Sequence, residues 1–118
     1  MESFVKNLYL ILLFVTLPSF ATEVLETKNY RVSIESRCME GEVSCSNYIY
    51  KGMSKKSGSE IQLKGSSWHT KCADGSPCRF LGYQFKNGNI TYYVHQDGLL
   101  EVIQNKNKVL LSEQGNWL

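Results

Sequence analysis

FLGYQFKNGNITYYVHQDGLLEVIQNKNKVLLS, residues 80–112, is the stretch that decides the fold. Leu81, Tyr83 and Phe85 alternate with Gly82 and Gln84, and Ile90, Tyr92 and Val94 alternate with Thr91, Tyr93 and His95. A period of two puts one set on each face of a strand. Asn87-Gly88 and Asp97-Gly98 separate these runs, and Asn105-Lys106-Asn107 separates Leu99–Gln104 from Lys108–Ser112. Tight hairpin turns need positive φ, which Asn-Gly and Asp-Gly supply at little steric cost. Such turns ten residues apart specify antiparallel hairpins in chain order, because a parallel crossover needs a longer connection.

Upstream the same period continues. Tyr30, Val32 and Ile34 alternate with Arg31, Ser33 and Glu35. Val43–Lys51 reads as a second strand, the polar run Gly52–Ser59 as a turn region, and Glu60–Lys64 as a third strand carrying Ile61 and Leu63. A loop from Trp68 to Arg79 is expected to interrupt the pattern, and Gly82 to mark a bend or bulge. Thr22–Lys28 is compatible with a short helical turn; no other segment after residue 21 carries a 3.6-residue stripe. The expected architecture is all-β: a small antiparallel meander of about seven strands, as a curled sheet, sandwich or small barrel.

The first residues carry an export grammar. Lys6 lies near the amino end, Leu8–Leu17 (LYLILLFVTL) is almost wholly apolar, and Pro18 ends it. Ser19-Phe20-Ala21 places small residues before a cut at Thr22, the pattern of a cleaved signal peptide over 1–21. The apolar run is too short for a membrane span, which takes about 20 residues. Of 118 residues, 97 then form one domain, 22–118. Charged residues at 20% and apolar ones at 42% are a globular balance, and a net charge of +2 falls short of a dedicated nucleic-acid binder.

Four cysteines in a small exported domain are first a disulfide framework. Of the three connectivities, Cys38–Cys45 and Cys72–Cys78 are preferred, since each pair brackets a turn-rich segment, 39–44 and 73–77. Loops this short give roughly 2.5 kcal/mol each by chain entropy. Structural zinc favours two to four residues between paired ligands; gaps of six and five, with only His69 and His95 to add, argue for no metal.

Charge points to a partner surface. Between Lys51 and Arg79 six basic residues (Lys51, Lys55, Lys56, Lys64, Lys71, Arg79) face two acids, Glu60 and Asp74. Tyr48, Tyr50, Trp68 and His69 lie beside them, and aromatics ringed by cations have the composition of an interface centre. The expected contact residues are therefore Tyr48, Tyr50, Lys55, Lys56, Lys64, Trp68, His69, Lys71 and Arg79. The partner expected is a protein or an anionic envelope component, and not nucleic acid, which an exported domain seldom meets.

No G-x-S-x-G, H-E-x-x-H, phosphate loop or dinucleotide fingerprint occurs, so no cofactor is implied. Ser67, His69 and Asp74 are close in sequence, but a triad is defined by aligned hydrogen bonds rather than proximity. Glu35, Glu101 and Glu113 occupy strand positions that normally face water, and His95 is expected to be solvated or cross-strand paired. The expectation is a small, exported, non-enzymatic binding protein of the bacterial envelope: an inhibitor, immunity-type protein or accessory factor. The alternatives are a periplasmic hydrolase or carbohydrate-active domain using His69, and a structural subunit presenting Trp117. The general plan is similar to that of the small periplasmic lysozyme inhibitors, compact disulfide-linked β-barrels. That likeness rests on export, length, early cysteines and hairpin patterning, and carries over no residues.

Overall fold

Each turn signal in residues 80–112 becomes a hairpin. The computed structural model describes residues 21–39 and 45–118; the expected signal segment up to residue 20, and Val43 and Ser44 at the start of the expected second strand, lie outside the described residues. Gly88 and Gly98 take φ of 63° and 96°, and Asn105 and Lys106 take 54° and 69°, the left-handed conformations that such turns require.

Among the described residues there are nine strands: β1 (Thr22–Glu26), β2 (Tyr30–Ser36), β3 (Tyr48–Ser54), β4 (Glu60–Lys71), β5 (Pro77–Asn87), β6 (Ile90–His95), β7 (Leu99–Gln104), β8 (Lys108–Gln114) and β9 (Asn116–Trp117). They form one antiparallel sheet in the order β8-β7-β6-β5-β4-β3-β2-β1-β9. Every neighbour from β1 to β8 is also the neighbour in sequence, so the sheet is a meander. Its two ends meet through β9, which follows β8 after one residue and pairs with β1 at Leu25↔Trp117 and Glu26↔Asn116. The result is a nearly closed barrel.

Gly115 makes that junction. A Cβ on it would stand 2.5 Å from the carbonyl oxygen of Glu26 and 2.8 Å from Thr27 Cγ2, so the chain crosses from β8 to β9 only without a side chain. The Gly115 N–H donates to Gly98 O and the Leu118 N–H to Val24 O, both at 2.9 Å, which ties the crossing to the rest of the sheet.

Closure gives the sheet an inside. Leu25, Val32, Ile34, Tyr50, Tyr83, Phe85, Val94 and Leu100 form its buried cluster, with Leu63, Tyr92, Leu111 and Trp117 among the residues packed on it. Tyr50 lies 5.2 Å from Phe85 and 5.4 Å from Tyr92 between ring centroids. Burial, then the neighbouring Tyr92 and Tyr30 hydroxyls, push the Tyr50 phenol well above its usual range.

Several expectations change. Thr22–Glu26 is a strand and not a helical turn, because Leu25 seals the core between β2 and β9. Strands β4 and β5 run through most of the segment expected to be a loop, leaving only 72–76 outside them. The disulfides are Cys38–Cys45 and Cys72–Cys78, with Cα separations of 6.0 and 5.2 Å. The first closes the β2–β3 connection and the second the tip of the β4–β5 hairpin, at the same end of the barrel.

Candidate functional site

A cationic stretch in sequence is not one surface here. Lys55 and Lys56 sit in the β3–β4 turn, whereas Lys71 and Arg79 flank the Cys72–Cys78 tip. The eleven steps of β4 from Glu60 to Lys71, at about 3.3 Å each, separate these pairs by roughly 36 Å. Lys55 is moreover committed: its Nζ lies 3.1 Å from Glu26 Oε1 and donates to Thr27 O at 2.7 Å. With Arg31 on the same carboxylate at 3.0 Å, hydrogen bonds from Lys55 and then Arg31 hold Glu26 below its usual pKa. The basic stretch is thus dispersed along a hairpin, and only Lys64 stands midway along β4.

The two tyrosines leave the contact set for a different reason. Tyr50 is 2% exposed and belongs to the core, and Tyr48 stacks edge-on against Tyr83 at 4.9 Å. Residues directly opposed across a ladder share a face. Tyr50 opposes Ile34 and Leu63, so it faces inward.

Trp68 points the other way. It opposes Gly82 on β5, which in turn opposes His95 on β6, while Ser67 and Tyr83 one position along face the interior. Gly82 has φ 145°, and a Cβ there would meet Val94 O at 2.1 Å. The close approach of the β6 backbone is what requires glycine at this position. Trp68, opposite Gly82, lies 4.8 Å from Tyr93 and 5.1 Å from His95 between ring centroids, reaching across β5 on the outer face. His95 Nε2 and Glu101 Oε1 are 2.5 Å apart, so His95 is cross-strand paired. Gln84 opposes Tyr93 and Lys86 opposes Thr91 on the same outer face. Lys64, Ser66, Gln84 and Lys86 line one shallow groove there, and Gln84, Lys86, Tyr93 and Lys106 line the adjoining one. This outward face of β4–β7 is the candidate site: a half-buried Trp–Tyr–His cluster bordered by two lysines.

Tyr93, Gln84 and Lys86 were not among the sequence-derived contact residues. A signal for their relation to His95 existed: the Gly88-Asn89 turn sets a register in which 86, 84 and 82 oppose 91, 93 and 95. Their relation to Trp68 had none, because the β4–β5 register shifts between Trp68 and His69 and again before Lys71.

His69 lies on the inner face opposite Phe80, with ring centroids 5.4 Å apart. Ser67 Oγ accepts from the Cys45 N–H at 3.0 Å. Asp74 accepts from the Ser76 hydroxyl and N–H at 2.6 and 3.0 Å, bonds that hold its carboxyl below the usual range. Ser67 and Asp74 are each engaged away from His69, so the three do not form a hydrogen-bonded relay. Glu113, expected to face water, opposes the buried Leu100 and is bonded to Asn29. Trp117 packs on the core of its own barrel, and its Nε1–H donates to Gln96 O at 2.8 Å.

Among the described residues no group of three His, Cys, Asp or Glu is placed to hold a metal ion, and no helix is long and apolar enough to cross a membrane. The two disulfides are compatible with an oxidising compartment outside the cytoplasm. No protein-family model matches the chain, and neither the curated proteins nor the solved structures hold a match to it.

Proposed function

We propose that this chain is a small exported binding protein that docks an acidic protein partner of the bacterial envelope through the outward face of β4–β7. The observation that carries this reading is Trp68 against Tyr93 and His95, with Lys86 lining the groove at Tyr93 and Lys64 further along the same face. Large aromatics on a rigid sheet supply contact area at low entropic cost, and the lysines select an acidic surface. The signal-like segment 1–21 and the disulfide pairs support export to the periplasm.

The test compares affinity capture from an envelope fraction by the oxidised protein, by Trp68→Ala and by the double variant Lys64→Glu, Lys86→Glu. A stoichiometric acidic protein retained by the unaltered chain and lost from both variants is expected. Equal retention by all three would overturn the assignment of this face.

A further inference from the structure

At the disulfide end, the inner face of the barrel opens into a recess of about 240 Å³ lined by Glu23, Phe80, Tyr83, Gln96, Trp117 and Leu118. Glu23 opposes the core residue Ile34 and Trp117 opposes Leu25, so both belong to inward positions at the rim. Phe80 and Tyr83 meet edge to face at 5.3 Å. The recess therefore joins one carboxylate to three aromatic rings.

Two of its donors are already spent. The Tyr83 hydroxyl donates to Glu23 Oε2 at 3.0 Å, and the Trp117 Nε1–H donates to the Gln96 carbonyl at 2.8 Å. What remains is the further acceptor capacity of the Glu23 carboxyl, the aromatic rings, and a single side-chain amide on Gln96. An anion would meet the Glu23 side chain with only the Gln96 amide to hold it. A sugar needs donors and acceptors in comparable number. A cation needs only acceptors and π faces, which is the set present.

We propose that this recess binds an organic cation, an alkylammonium or guanidinium group, with Glu23 as counter-ion and Trp117, Tyr83 and Phe80 as its aromatic walls. The site is separate from the outward face of β4–β7 and does not depend on that reading. The cation has two sources, a free amine or a Lys or Arg side chain of a partner, and both present the same group.

The test is a titration of ¹⁵N-labelled protein followed by NMR, with n-butylammonium, neutral n-butanol and butyrate as probes. Saturable shifts at the Trp117 indole and the Gln96 amide are expected with the ammonium alone. Glu23→Gln, which still accepts from Tyr83, should weaken the ammonium by about tenfold or more. Tyr83→Phe, which frees a carboxylate oxygen, should keep or tighten it. Comparison with the peptide Ac-Gly-Lys-Gly-NH₂ separates the sources: tighter binding of the peptide supports a partner side chain, and tighter binding of butylammonium supports a free amine. Equal response to butanol, or an ammonium response unchanged in Glu23→Gln, would overturn the proposal.

Discussion

The carboxylate of Glu113 accepts two hydrogen bonds from Asn29, one from its backbone N–H at 3.1 Å and one from its side-chain amide at 2.7 Å, across 84 residues of sequence. Asn29 belongs to the β1–β2 turn and Glu113 to β8, so the pair bridges strands that share no ladder at this point. Burial opposes ionisation of Glu113, but the bonds from Asn29 and Thr27 outweigh it and hold the carboxyl below its ordinary value of 4.5.

A carboxylate with a depressed folded pKa contributes stability that is fully present above its unfolded pKa and lost as pH falls through the folded one. Glu113→Gln is therefore expected to cost about 1 kcal/mol at neutral pH. The gap between the two proteins should narrow below about pH 4.5. Urea unfolding at a series of pH values measures it, and a gap constant down to strongly acid pH would remove Glu113 from the seam.

Gly115 permits closure by lacking a side chain. Gly115→Ala would drive a methyl into the Glu26 carbonyl, which as backbone cannot swing aside. The expected cost is about 1–3 kcal/mol, with faster hydrogen exchange at the Leu118 amide that bonds Val24. Unchanged exchange there would mean that the β9 pairing tolerates the displacement.

The Cys72–Cys78 bridge closes the tip of a hairpin whose two strands pair chiefly with each other near the tip. The pair of changes Cys72→Ser and Cys78→Ser should cost about 2–3 kcal/mol, most of it through the unfolded chain. Backbone chemical shifts should change near 66–82 and not around Leu25 or Leu100, and spread of the changes into that core would contradict a local role.

If the outward face of β4–β7 docks a partner, its lysines are not equivalent to those in the β3–β4 turn. Lys64→Glu with Lys86→Glu is expected to weaken capture by about tenfold, near 1.4 kcal/mol. Lys56→Glu, in the β3–β4 turn, should leave capture unchanged. Equal losses from the two changes would restore a diffuse charge effect as the explanation.

The hairpins from Phe80 to Ser112 and both disulfide pairs were legible in the chain, because turn chemistry and cysteine spacing act over a few residues. Alternation also identified the members of each strand face, but for Tyr48 and Tyr50 it could not say which face turned inward. That was decided when the sheet closed, and closure rests on contacts distant in sequence: Leu25 with Trp117, Glu26 with Asn116, and Asn29 with Glu113. The run of basic residues illustrates the same limit, since charges adjacent in sequence are carried to opposite ends by one long strand. Local backbone preference determined the strands and turns from Phe80 to Ser112. Only the tertiary structure decided its inside, its outer Trp68–Tyr93–His95 cluster and the recess at Glu23, because each depends on a strand register that bulges and a glycine crossing set in three dimensions.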